Sequence, residues 1–286
     1  MRIIQDTAFR LLRDDPPGIS VEDLHFSNCV FDNCSLSLTR DPRNRTWVHN
    51  VVLADCELFN CQVGPALLDE VRVHNLKTND IGIVNGALFR RVVLTGRIGS
   101  LRINPDPILH DQSPSVLSSF DADREKFYAS IDWALDIRHA DFVSFAVEGV
   151  PARLIRRDPE TQVVVSRERA LGRDWSKLSE SVGGYWTDMI DTFLYEGTSE
   201  LVLAAPRGAR RSVFQQRLSG LRELRALGVA EPEGNSPGVL SPLPKPIAPK
   251  RKAQAKKTQA KKTQAKKTQA KKTQAKKTQA KKTKRR

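Results

Sequence analysis

Residues 245–286 contain no acidic side chain, and this absence divides the chain in two. That segment carries 19 Lys and Arg, so the other 244 residues hold 28 basic and 33 acidic groups, a net −5 against a formal +14 for the whole. The positive excess belongs to the C-terminal segment alone. No apolar run approaches the length of a membrane span. Residues 1–14 mix Arg and Asp among their apolar residues, unlike the unbroken apolar stretch of a signal peptide. A cytoplasmic location is therefore expected, with nucleoid association the extension that the basic segment invites. In that compartment an even number of Cys carries no presumption of disulfides. Reaction motifs are missing as well: no His pair of a zinc protease, no nucleophile elbow, no phosphate-cradling glycine loop and no dinucleotide fingerprint is present. The five histidines, His25, His49, His74, His110 and His139, are scattered along the chain. These absences lean against an enzyme and predict no cofactor and no metal.

What the first hundred residues do contain is a short phrase: an apolar residue, any residue, Asn or Asp, then Cys. It occurs as Phe26-Ser27-Asn28-Cys29, Phe31-Asp32-Asn33-Cys34, Leu53-Ala54-Asp55-Cys56 and Leu58-Phe59-Asn60-Cys61. The copies within a pair follow each other closely, and a longer interval separates the first pair from the second. Val73-His74-Asn75-Leu76 then repeats the phrase with Leu in the Cys place, and Val92-Val93-Leu94-Thr95-Gly96 follows after a similar distance. A recurrence of about 20 residues, built of short apolar pieces separated by turn residues, is the signature of stacked β coils. The longer first interval accommodates a polar loop, Thr39-Arg40-Asp41-Pro42-Arg43-Asn44-Arg45.

In such a stack Phe26, Phe31, Leu53 and Leu58 are the large interior residues. The four cysteines act as compact hydrophobes beside them. Asn28, Asn33, Asp55, Asn60 and Asn75 take the bends, where short polar side chains tolerate left-handed backbone angles. The competing reading is a zinc site of four thiolates. Four intervening residues within each pair, in an alternating apolar pattern, fit a zinc knuckle poorly. At these residues the chain resembles the pentapeptide-repeat proteins, over residues 24–98. That resemblance implies a right-handed quadrilateral β-helix with Leu or Phe at a central inward position and a small residue nearby. Some members of that family mimic duplex DNA with dense acidic charge; a body at −5 lacks that density, so only the architecture carries over.

The pattern changes after Ile103. Asn104-Pro105-Asp106-Pro107 and the polar run to Ser119 read as a connection. Phe120, Phe127, Ile131, Ala134 and Leu135 recur at helical spacing, with Ser119 as cap and Asp121, Asp123 and Glu125 in the first turn. The apolar face of this helix could close the end of the stack. Strands are predicted at residues 142–147, 152–156 and 162–166, the last two joined as a hairpin through Asp158-Pro159-Glu160-Thr161. A helix at 186–195, a buried strand at 200–204 and a helix at 210–227 stopped by Gly228 complete the body.

One cluster stands out there. Arg153, Arg156 and Arg157, with Arg167 and Arg169, gather on or near the predicted hairpin and form a candidate anion site, since paired guanidinium donors clamp phosphate or carboxylate. The plainer alternative is a solvated face balanced by Asp158, Glu160 and Glu168. Trp175, Tyr185 and Trp186 read as core or interface anchors.

Residues 232–249 are rich in Pro and read as a semi-rigid linker. Beyond them, five identical copies of Ala-Lys-Lys-Thr-Gln occupy residues 255–279. The predicted polyanion-binding residues are Lys256, Lys257, Lys261, Lys262, Lys266, Lys267, Lys271, Lys272, Lys276, Lys277, Lys281, Lys282, Lys284, Arg285 and Arg286. On a helix this repeat period advances each Lys pair by about 140°, so no single charged face forms. With no large apolar side chain in the repeats, a membrane anchor is excluded. Mutual repulsion of the Lys pairs predicts a disordered tail. Its composition is similar to the lysine- and alanine-rich tails of linker histones and bacterial histone-like proteins, which bind nucleic acid without reading bases. Repeat expansion yielding an inert or generally anion-binding segment is the alternative.

The expected architecture is mostly β with α+β character. A right-handed β-helix (solenoid) with an N-terminal cap occupies residues 1–104, and an α+β segment at 105–231 packs on or caps it. The linker at 232–249 and the disordered basic tail at 250–286 follow. The expected function is that of a non-enzymatic binding or scaffold protein, tethered to nucleic acid or another polyanion, with a protein partner on the β-helix and no membrane. The alternatives are a β-helix enzyme acting on a small molecule or glycan, and a structural solenoid that associates through its ends.

Overall fold

The computed structural model describes residues 1–14, 16–107, 113–172 and 183–232. The chain divides into two units, Met1–Val239 and Leu240–Arg286, and every described residue belongs to the first. The predicted linker beyond Pro232, all the predicted tail residues from Lys256 to Arg286, His110 and Trp175 lie outside the described residues.

The described part is mostly β, with α+β character in its second half. Its first half is a set of parallel ladders between strands that lie one repeat interval apart in sequence. The short strands are β1 (Arg2–Gln5), β2 (Ala8–Arg10), β3 (Ser20–Glu22), β4 (Leu24–Ser27), β5 (Val30–Asp32), β6 (Ser35–Leu36) and β7 (Trp47–His49). Longer ones follow, interleaved with short: β8 (Val52–Phe59), β9 (Gln62–Val63), β10 (Leu67–Asp69), β11 (Arg72–Asn85), β12 (Leu88–Arg90) and β13 (Val92–Asn104). In the large sheet β1, β4, β8, β11 and β13 pair successively, all in parallel. A second, four-stranded parallel sheet runs β3, β7, β10, β12. The repeated phrases are in register. Phe26 pairs with Leu53, Leu53 with Val73, Val73 with Leu94, and Phe31 with Leu58.

Bends separate the short strands, and their backbone explains the Asn and Asp in the phrase. Asn28, Asn33, Asp55, Asn60 and Asn75 all have positive φ, between 51° and 55°, as do Asp6, Asp23 and Asn50. A left-handed angle costs most residues about 1–2 kcal/mol. Here the side chains also bond from one level to the next. Asn28 Nδ2 donates to Asp6 Oδ1 at 2.5 Å, Asn50 Nδ2 to Asp23 Oδ1 at 2.6 Å, and Asn75 Nδ2 to Asp55 Oδ1 at 2.8 Å. Gly96 holds the next position above Asn75 with φ 70°, where a Cβ would collide with Asn75 Oδ1.

Inside, Phe9, Phe26 and Phe31 form a cluster with ring centroids 5.1–5.9 Å apart. Cys29 and Cys56 are buried at equivalent positions of neighbouring levels. Cys34 and Cys61 are half-buried one bend further on. Each thiol donates to a carbonyl of the adjacent level: Cys29 to Ile4, Cys34 to Phe9, Cys56 to Phe26 and Cys61 to Phe31. Burial pushes the Cys56 pKa up to about 11 and also raises that of Cys61, the opposite of what a thiolate metal ligand needs. Among the described residues no three His, Cys, Asp or Glu side chains are grouped as metal ligands.

The second half departs from the sequence reading in three places. Helix α1 spans Pro114–Ala129, so it starts before Ser119 and ends before Ala134. Pro114 at its first position supplies a pre-set φ that sequence spacing alone did not reveal. Ala134 and Leu135, expected at the end of the helix, instead lead into β14 (Leu135–Glu148), which pairs in parallel with β13 from Val92↔Leu135 to Ile103↔Val147. Thus a strand, and not the helix alone, covers the last parallel strand of the first half. The expected hairpin does not form: β15 (Ile155–Arg156) pairs in parallel with β14, while β16 (Gln162–Ser166) pairs antiparallel with β17 (Glu200–Ala204). β17 also pairs antiparallel with β14. The turn at 158–161 therefore carries the chain from one sheet position to another.

Helices α2 (Arg167–Leu171), α3 (Gly183–Glu196) and α4 (Arg211–Ala226) complete the unit. Trp186, Ile190 and Phe193 of α3 and Leu218, Leu221 and Leu224 of α4 form a second core with Val163, Val165, Leu201 and Leu203. The predicted anchor Trp186 is fully buried and donates Nε1–H to Arg217 O.

The bend ladder generates a test at Asn75, whose side chain donates to Asp55 and accepts from Arg97 N at 2.9 Å. Asn75→Ala is expected to lower unfolding free energy by about 2 kcal/mol in urea titration. Asn75→Gly, which relieves the φ cost, is expected to lose less.

Candidate functional site

A cleft of about 340 Å³ opens where three segments meet. The last turns of α1 supply Arg124, Glu125 and Tyr128. The turn after β14 supplies Gly149, Val150, Pro151 and Arg153, and the approach to β17 supplies Thr198, Ser199 and Glu200. Gly149 makes the turn possible: its φ is 74°, and a Cβ would lie 2.5 Å from Pro105 Cβ. Glu200 Oε2 accepts the Ala152 N–H at 2.8 Å and so fixes the loop carrying Arg153 to β17.

Arg153 is exposed, and its guanidinium makes a 3.5 Å contact with Tyr128 O. Arg124 is committed to Asp121 at 2.6 Å and to Pro105 O at 3.1 Å. The cleft therefore offers one accessible guanidinium, two hydroxyls and two carboxylates. That set suits a small polar ligand carrying both an acid and a hydrogen-bond donor.

Behind the cleft, Thr198 Oγ1 donates at 2.6 Å to Glu148, whose side chain is 2% exposed. Arg102 Nη2 lies 3.2 Å from Glu148 Oε1 and 3.0 Å from Glu196 Oε1, so one guanidinium serves two carboxylates. Burial pushes the Glu148 pKa up to about 7. Glu196 raises it further, and Thr198 and Arg102 oppose the shift. These groups come from β13, β14, the end of α3 and the approach to β17. No local motif signals them, because Arg102 and Glu196 are 94 residues apart in sequence.

The sequence-predicted arginine cluster is split between different tasks. Only Arg153 of that cluster lines the cleft. Arg156 stacks on Trp133, its guanidinium carbon 4.0 Å from the ring centre. Arg157 has a side chain 1% exposed and forms an ion pair with Glu231. Arg169 Nη1 reaches Ala230 O at 3.3 Å, and Arg225 Nε reaches Glu231 O at 3.2 Å. Together with the antiparallel bridge Val165↔Ala230 and the bond from Glu231 N to Val164 O, these arginines fasten residues 230–231 to the body. Removing one partner of a buried ion pair costs roughly 3–5 kcal/mol, so Arg157 is committed to structure.

Arg45 is the arginine the sequence reading passed over. Its side chain is 7% exposed and bonds to Pro65 O, Gly86 O and Asp123 of α1, with its guanidinium over the Phe120 ring. It ties α1 to the parallel strands. Among the histidines, His49 Nδ1 lies 3.0 Å from Asp69, which Arg90 also binds, and His74 Nδ1 lies 3.1 Å from Thr95 Oγ1. No family model, curated protein or solved structure matches this chain.

Glu148 sets a pH dependence. Its folded pKa is raised from 4.5 to about 7, so within that window the folded state holds more protons than the unfolded chain. Stability from this group is fully present below the window and falls as pH rises through it. The Glu148→Gln variant is expected to lack that fall. Urea midpoints at about pH 5 and about pH 8 should diverge more in the parent than in the variant.

Proposed function

We propose that this chain is a non-enzymatic binding or scaffold protein. Its first hundred residues wind into a right-handed β-helix of pentapeptide-repeat type, and its Lys-rich tail tethers it to nucleic acid or another polyanion without sequence selection. The in-register pairing of Phe26, Leu53, Val73 and Leu94, with left-handed residues at the bends, supports the β-helix. The partition of charge carries the tether: 19 basic groups and no acid in residues 245–286, against a net −5 elsewhere. A cationic string of this kind releases counterions from a phosphate backbone whatever the base sequence. The body then serves as the cargo, its surface open to a protein partner.

Deleting residues 250–286 tests the tether. The full chain is expected to bind duplex DNA with a log-log salt slope of roughly −7 to −9, corresponding to about eight to ten neutralised phosphates. The truncated chain is expected to lose that affinity, and equal binding by the truncated chain sinks the proposal.

A second reading, an enzyme acting on a small molecule or glycan, draws on one observation. Thr198 lines the cleft and bonds to Glu148, whose proton is held near neutrality as a general acid requires. Under that reading a ligand raises the melting temperature of the parent chain but not of Arg153→Ala. Unchanged melting across a panel of carboxylated sugars removes it.

A further inference from the structure

The two ends of the parallel ladders are finished differently. Beyond β13 the pairing passes through β14 into antiparallel β17 and β16, with helices packed against them. At the other end the first strands β1 and β3 are the terminal members of their sheets, and β2 pairs only with β5. Among the described residues nothing pairs with the outer edge of β1. Of the ten large apolar side chains most exposed among the described residues, six fall at or before position 38: Met1, Ile3, Leu11, Leu12, Ile19 and Leu38. Ile3 is 61% exposed and Leu11 73%. Natural edges are commonly blunted by Pro, Lys, an inward charge or a bulge. The strand Arg2-Ile3-Ile4-Gln5 has no Pro, no Lys and no bulge in its pairing with β4.

We propose that the open edge of β1 is the dimerisation surface of this protein, with β1 pairing antiparallel to β1 of a second copy across a two-fold axis at Ile4. The hydrogen-bond directions and the charges select this register. Arg2 N donates to Asp23 O and Asp6 N to Ser27 O, both toward the interior of the sheet. Alternate residues along a strand point their N–H and C=O to opposite edges, so those of Ile3 and Gln5 face the open side. A two-fold at Ile4 sets Ile3 of each copy opposite Gln5 of the other, which is a hydrogen-bonded antiparallel pair. The same axis sets Arg2 opposite Asp6 at both ends of the pair, so opposite charges meet twice. It also brings the half-buried Ile4, which packs on the first core, against its own copy. Gln5 O already accepts from Thr7 Oγ1 at 2.8 Å, and its second lone pair is left for the partner strand.

The arrangement is independent of the tether, so it is tested in the full chain freed of nucleic acid, by sedimentation equilibrium over a range of concentrations. A reversible dimer is expected. Ile3→Pro removes only an outward N–H, a change that an edge strand tolerates. It should weaken association at least roughly tenfold while the circular dichroism and melting temperature of the monomer stay unchanged. Arg2→Glu should weaken association similarly, and adding Asp6→Lys to it should restore the dimer, because only this register sets residues 2 and 6 opposite each other. A chain that stays monomeric throughout overturns the proposal, as does a dimer indifferent to Ile3→Pro or a charge swap that fails to restore association. Stable capture of some other protein by a monomeric chain also counts against it.

Discussion

The fold depends on the chain's ability to turn sharply at the ends of very short strands. Each bend between successive short strands requires a left-handed residue, and a sequence of ordinary residues would lose about 1–2 kcal/mol at every one. Here Asn and Asp occupy most of those positions, and their side chains bond to the bend above or below. The cost at one level is thus offset by contact with the next. Stability in such an arrangement accrues between neighbouring levels, so an interior level gains from two sides and a terminal one from only one.

That constraint is also why the first half was legible in sequence. A bend needs Asn, Asp or Gly, and an inward position needs an apolar or small residue, so both leave a periodic trace. Phe26, Leu53 and Val73 are unevenly spaced along the chain, yet they pair in one column because the loop at 39–45 absorbs the difference. What the sequence concealed is what depends on distant partners. Leu135 fits a helical period as well as a strand, and only its pairing with Val92 decides between them. The hairpin at 158–161 has ordinary turn chemistry, but β17, much later in the chain, competes for β16 and wins five antiparallel pairs. Arg45 looks like one more charge in a polar loop until α1 buries it.

The arginines illustrate how burial assigns work to one residue type. Arg45 spends its donors on two carbonyls and a carboxylate, and so joins a helix to strands that come from a different stretch of chain. Arg157 is buried because Glu231 neutralises it, while Arg156 lies flat on Trp133, where a planar guanidinium packs better than an ammonium would. Arg102 holds two glutamates at the junction between the parallel strands and the second core, and leaves one of them with a proton affinity near neutrality. Of the predicted cluster, Arg153 retains donors for a ligand, and this follows from its loop being fixed by Glu200 through a backbone contact that leaves the side chain unused.

The fastening of residues 230–231 gives the body a defined exit. Ala230 pairs with β16 through Val165, Glu231 is held by Arg157, and Arg225 of α4 bonds to Glu231 O and to Gln162 O. β16 and α4 share the second core with α3 and β17. A pull transmitted along the chain from beyond residue 232 is therefore taken up first by antiparallel pairing and buried ion pairs around that core. The parallel strands of the first half, with their short elements and left-handed bends, are spared. A protein held by its C-terminal end needs its anchorage there, and the sites with the fewest such contacts lie at the opposite end, in β1.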